Sequence, residues 1–127
     1  RVLIPTAGDW TFGFTTDDGA RLIVDGNVIE RDVQQAPTDT LGTINFDSPG
    51  LYDLSFLFFE RAGGATAELW AARGAFGSFD ATDADFLLVG DVANGGLSIF
   101  ATVPEPSSLA LLMLGLAFIG CRRRFRS

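Results

Sequence analysis

The sequence predicts an all-β fold, an antiparallel sandwich or barrel, followed by a short apolar helix at the C-terminal end of its 127 residues. Three observations carry that expectation. Apolar and small polar residues alternate in the first part of the chain, Gly, Asp and Asn break the apolar runs at short intervals, and an uncharged apolar stretch comes last.

Trp10, Phe12 and Phe14 alternate with Thr11, Gly13 and Thr15, as a half-buried strand requires. Leu22 to Val24 and Val28 to Arg31 are β-prone runs joined by Asp25, Gly26 and Asn27, residues that tolerate positive φ and so signal a hairpin. Ile44 to Phe46 gives a further strand before the Ser48, Pro49, Gly50 turn. Leu51 to Phe59 then reads as one long strand whose Phe56, Leu57, Phe58 and Phe59 are buried on both faces. Gly63 and Gly64 turn into Thr66 to Trp70, and Phe86 to Val89 pairs with Leu97 to Ala101 across Asp91 to Gly96. That makes about seven or eight strands without a helix.

Twelve phenylalanines and 47% hydrophobic residues supply a core, so the composition is not that of a disordered chain. Charge is uneven. Residues 1–103 hold fifteen acidic residues against five arginines, a net of about −10, whereas residues 104–127 hold four arginines against one glutamate, about +3. An acidic body repels nucleic acid, so no nucleic-acid partner is expected. The chain has no histidine and its one cysteine, Cys121, lies near the end, so Ser-His and Cys-His nucleophile pairs are excluded from the body. A two-carboxylate glycosidase needs only a pair of acids, but no pair is singled out, and no enzyme is expected. The chain starts at Arg1 without a charged, apolar, small-residue leader, and is read as a fragment with any signal peptide upstream.

Three segments follow from these patterns: a β domain over 1–101, a proline-rich linker over 102–107, and an apolar segment with an arginine-rich end over 108–127. Pro104 and Pro106 fix φ, remove donors and bias their neighbours toward extended backbone. No charge occurs from Leu109 to Ile119, and Arg122, Arg123, Arg124 and Arg126 follow, the order of an apolar span stopped by cytoplasmic positive charge. Ser107 to Cys121 is 15 residues, roughly 22 Å as a helix against a hydrocarbon core of about 30 Å, so it is short for a permanent anchor.

Pro104, Glu105 and Pro106, the apolar run and the terminal arginines together resemble the PEP-CTERM sorting signal. The resemblance implies export, passage through the inner membrane, cleavage near the Pro-Glu-Pro motif by an exosortase-type membrane enzyme, and delivery to the cell surface or extracellular matrix. Proteins of that kind accompany exopolysaccharide production.

A second resemblance covers residues 10–70. Phe12 to Asp18 with Gly19, Arg21, Leu22, Val24, Asp25 and Gly26, then Gly50, Tyr52, Leu54, Phe59, Glu60, Gly64, Ala65 and Leu69, are similar to the conserved domain of the protective-antigen and flocculin lectin family. It implies an antiparallel β-barrel that binds glycans, in adhesin members through calcium. That family has further strands before the one at Trp10; none is expected here, which leaves an N-terminally truncated barrel with an exposed edge.

In the calcium-binding members, two consecutive aspartates joined by a cis peptide hold the ion, and a side chain after the long strand completes the site. The resemblance assigns those parts to Asp17, Asp18 and Glu60, with the carbonyls of Arg61 to Ala65 as further ligands, although the adhesins favour Asn at the Glu60 position. Calcium takes six to eight oxygen ligands, and a cation relieves repulsion among carboxylates. The alternative for Asp17, Asp18 and Gly19 is an ordinary turn, which those residue types form readily. Asp80, Asp83 and Asp85 lack the order of an EF-hand loop and read as a solvated acidic loop. Trp10 and Trp70 read as core residues before sugar-stacking ones. The functional expectation is a surface-sorted protein that recognises extracellular polysaccharide or another glycan, with calcium as its cofactor. The alternative is a structural matrix or envelope protein that uses the same fold without a ligand.

Overall fold

The computed structural model describes residues 1–102; the proline-rich motif from Pro104, the apolar segment and the terminal arginines lie outside the described residues. Among the described residues no helix is long and apolar enough to cross a membrane.

Nine strands are present among the described residues: β1 Val2–Ile4, β2 Gly8–Asp17, β3 Ala20–Val24, β4 Asn27–Arg31, β5 Thr38–Phe46, β6 Gly50–Tyr52, β7 Leu54–Phe58, β8 Thr66–Arg73 and β9 Leu87–Leu88. Their pairings are antiparallel, and a 3₁₀ turn covers Val92–Asn94. The strands form a four-stranded sheet in the order β5-β2-β8-β9, a three-stranded sheet β4-β3-β7 and a two-stranded ribbon β1-β6. The all-β expectation therefore holds across the described part of the chain.

The core lies between the sheets. β2 and β5 supply Trp10, Phe12, Phe14, Ile44 and Phe46, β3 supplies Ala20, Leu22 and Val24, and Val2 and Ile4 close one side. Phe12 meets Phe46 edge-on at 6.3 Å, and Phe14 meets Phe56 at 5.7 Å. Trp10 and Trp70 are both buried. The predicted hairpin is the β3–β4 pair, turning through Asp25 at φ 48° and Gly26 at φ 77°, the paired positive values that a two-residue turn matching strand twist demands.

β2 is covered on both sides, although its alternation predicts one buried face. Trp70 projects from β8 on the side opposite Phe12 and Phe14, and its ring stacks on Phe79 at 4.1 Å and meets Phe86 edge-on at 5.2 Å. Thr11 anchors the start of that outer layer by donating to the Gly74 carbonyl at 2.7 Å and accepting from the Phe76 amide at 2.9 Å. A loop rich in Phe thus forms a second, smaller core on the outside of the four-stranded sheet.

Three expectations are corrected. A strand does precede Trp10: β1 pairs with β6, placing Leu3 opposite Leu51. Leu51 to Phe59 is not one strand buried on both faces. It divides at Asp53 into β6 and β7, and β7 is an edge strand bonded only to β3, so Leu57 is 69% exposed. Finally, residues 98–100 do not form a strand pair with Phe86 to Val89. They lie along β1, with Ile99 bridging Val2, and the nearest link to the expected partner is a bond from the amide of Gly90, just past Val89, to the Leu97 carbonyl.

Candidate metal centre

The chain passes from the four-stranded sheet to the three-stranded sheet through Asp17, Asp18 and Gly19, at the C-terminal end of β2. The Asp17–Asp18 peptide is cis. Two loops converge on this crossing, residues 32–37 between β4 and β5 and residues 59–65 between β7 and β8. Gly19 is the contact point. Its carbonyl accepts from the Phe59 amide at 3.0 Å, and a Cβ there would lie 2.6 Å from the Phe59 ring and against the Arg31 carbonyl, so no larger residue fits.

Asp18 is buried at 2% exposure, and its carboxylate is held from both loops. Oδ1 accepts from the Gln35 amide at 2.9 Å, and Oδ2 accepts from the Arg61 amide at 3.0 Å. A carboxylate held by one backbone donor on each oxygen is fixed in orientation, since neither amide can swing away as a side-chain donor could, and of its about four lone-pair sites the others stay free for a cation. The loops are further tied by Arg61 Nη1 donating to Gln34 Oε1 at 3.1 Å, and Arg31 Nε, at the end of β4, braces the first loop by donating to Gln35 Oε1.

Asp17, Asp18 and Glu60 come together here, each offering a carboxylate oxygen within 4.8 Å of the other two. Asp17 is partly exposed and Glu60 exposed, which leaves the cluster open to solvent on one side. Among the described residues none of the three has an ion-pair partner; the ion pairs are Arg1 with Asp53 and Arg21 with Glu30. Three like charges at this spacing repel unless a cation intervenes, and an all-oxygen donor set suits a hard ion such as calcium.

Beside the cluster, Arg21, Glu30, Arg31, Asp32, Leu57 and Phe59 line a groove of about 300 Å³. It joins apolar surface from Leu57 and Phe59, on the β7 side, to charged groups from β3, β4 and the residue after β4. Sequence reasoning does not find Gln35 or the Arg61 amide, because their part is played by backbone N–H groups in loops without a pattern. Asp80, Asp83 and Asp85 behave as a solvated loop: Asp80 accepts from the amide and hydroxyl of Thr82. Those two bonds hold the Asp80 carboxyl below its ordinary value.

Residues 1–74, more than half of the chain, match the PA14 domain. The chain belongs to the PA14 domain family. Its PA14 domain carries the carboxylate cluster at the end where the β2–β3, β4–β5 and β7–β8 connections meet. A solved structure described as an anti-sigma factor domain-containing protein is similar at 27% identity and a TM-score of 0.53, over 57% of this chain and 26% of that one. This chain thus spans about a quarter of that protein. No curated protein matches.

Residues 102–124 match the PEP-CTERM protein-sorting motif. The PA14 domain is therefore part of an exported protein, sorted to the cell surface or its extracellular surroundings. Pro104, Glu105, Pro106, Arg122, Arg123, Arg124 and Arg126 fall within or beside that match, outside the described residues.

Proposed function

We propose that this PA14 domain is a binding module, not an enzyme, that recognises extracellular carbohydrate through a calcium ion held by Asp17, Asp18 and Glu60. The observation that carries the reading is the convergence of three carboxylates, within 4.8 Å and without an ion-pair partner among the described residues, around one aspartate locked by two loop amides. A cation there supplies a centre of positive charge to which vicinal sugar hydroxyls can bind. The adjoining groove supports the same reading, because Leu57 and Phe59 offer apolar surface to the C–H face of a sugar and the flanking charges offer hydrogen bonds to its rim. In this proposal an exosortase-type enzyme removes the tail near Pro104 to Pro106 after the β domain has crossed the inner membrane and the apolar segment is held in it.

The test is a glycan array probed with the exported protein, with calcium and with chelator. Binding that disappears in chelator supports the proposal. Silence in both conditions, together with self-assembly of the purified protein, supports a structural matrix role instead. For the tail, equal mass in cells with and without the sorting enzyme would sink the processing step.

A further inference from the structure

The end of the domain opposite the carboxylates carries a surface of different character. β1 lies between two antiparallel neighbours, β6 on one side and residues 98–100 on the other. Arg1 and Phe100 exchange two backbone bonds, of 2.8 and 2.9 Å, and the Leu3 amide donates to the Ser98 carbonyl at 2.9 Å. Side chains alternate across such a ribbon. Val2 and Ile4 point inward and are fully buried, so Leu3 and its partner Leu51 point outward, in the row next to Arg1 and Phe100. Leu3, Leu51 and Phe100 are 36%, 51% and 49% exposed. Arg1 Nε pairs with Asp53 at 3.1 Å, which leaves this face apolar and without net charge on an otherwise acidic body.

The chain leaves the domain from this face. Only four residues lead from Phe100 to Pro104, and nine lead to Leu109, where the uncharged apolar run begins. Fully extended, nine residues reach at most about 32 Å. A body of about 100 residues has a radius of gyration of about 13 Å, so the tether is no longer than the domain is wide. β2, ten residues long, runs from this end to the carboxylate end, about 30 Å away.

We propose that, while the tail is held in the bilayer, the PA14 domain rests on the surface of that same membrane through Leu3, Leu51 and Phe100, with its carboxylate end turned outward. The inference rests on the sorting reading, which puts the apolar run in the membrane. A short tether brings the face to the lipid, and three apolar side chains with a neutralised ion pair meet the interface without desolvating a net charge.

The experiment places the full chain in phosphatidylcholine vesicles with brominated acyl chains and compares the variants Leu51→Trp and Val33→Trp, each measured as a difference from the parent chain, whose Trp10 and Trp70 are buried. Val33 is exposed in the loop at the carboxylate end. Trp at 51 is expected to lose about half its emission, since an interfacial side chain sits about 5–10 Å into the headgroup and acyl boundary, while Trp at 33 keeps its emission. Adding Phe100→Asp to the Leu51→Trp chain is expected to restore most of the lost emission. Equal emission loss at 51 and 33, or no loss at 51 in a chain that floats with the vesicles, overturns the docking face alone. A chain that does not float with the vesicles overturns the anchoring reading, and this inference with it.

Discussion

The ring of Trp70 occupies the space that a side chain at Gly13 would need. A Cβ at position 13 would overlap the six-membered ring of the indole and lie 2.6 Å from the Thr40 carbonyl. Gly13 faces Trp70 across the β2–β8 pair, so the gap between central strands is filled from one side only. Gly13→Ala is expected to destabilise the domain by about 1–3 kcal/mol through overpacking. A urea melt of the variant with unchanged midpoint would contradict this account.

Thr11 is the buried hinge pin of the outer aromatic layer, with both hydrogen-bonding roles of its hydroxyl used on Gly74 and Phe76. Thr11→Val keeps the shape but takes the hydroxyl partner from a half-buried carbonyl and amide, at a cost of about 1–3 kcal/mol. Limited proteolysis should show faster cutting within residues 75–85 in the variant than in the parent, with the β2–β5 pair still protected.

Calcium should raise the melting temperature of the parent chain. Ligand at 100 times its dissociation constant adds about 2.7 kcal/mol, a rise of roughly 10–20 °C for a domain of this size. Asp17→Asn and Glu60→Gln should each abolish most of that rise. In chelator both should melt no lower than the parent, because each removes one of three mutually repelling charges. Calorimetry that gives the parent one melting temperature in calcium and in chelator removes the metal.

The Asp80 carboxyl titrates below its ordinary value because Thr82 donates to it twice. A depressed folded value means that this contribution is complete above the unfolded value and is lost as pH falls through the folded one. Thr82→Ala should raise the Asp80 titration toward the ordinary aspartate range, read from its carboxyl carbon shift by NMR. An unmoved titration would assign the effect to something other than these bonds.

Leu57 sits on the solvent face of the edge strand β7 at 69% exposure. Leu57→Ser should therefore change stability by no more than about 0.5 kcal/mol, whereas Phe14→Ala, in the core, should cost about 3–5 kcal/mol. A large loss for Leu57→Ser in a thermal melt would restore the two-sided burial that its apolar run suggests.

These contrasts show which parts of the fold are written locally. The Asp25–Gly26 hairpin is legible because positive φ admits few residue types, and the β2 alternation because a period of two has one structural meaning. Leu54–Phe58 misleads because an unbroken apolar run does not reveal how many neighbours a strand has, and here β7 has one. β1 is missed because Val2, Leu3 and Ile4 are too few to show a period before Pro5. Phe76, Phe79 and Phe86 follow no regular spacing, so only the folded loop shows that Phe79 and Phe86 gather on Trp70 and Phe76 packs on Phe86. At the candidate site the consecutive aspartates stand out in the sequence, but the amides of Gln35 and Arg61 that orient Asp18 carry no side-chain signature.

The bonds from Gln35 and Arg61 to one carboxylate make two sequence-distant loops into a single mechanical part. Swapping either loop for one of another length would break the shared clamp and disturb its companion. Engineering of new recognition in this scaffold therefore has most freedom at exposed positions beside the clamps, such as Val33 and Ala62, and least at Gln34 and at the residues whose amides close them. Grafted libraries should vary both loops together, holding the two anchor positions in register.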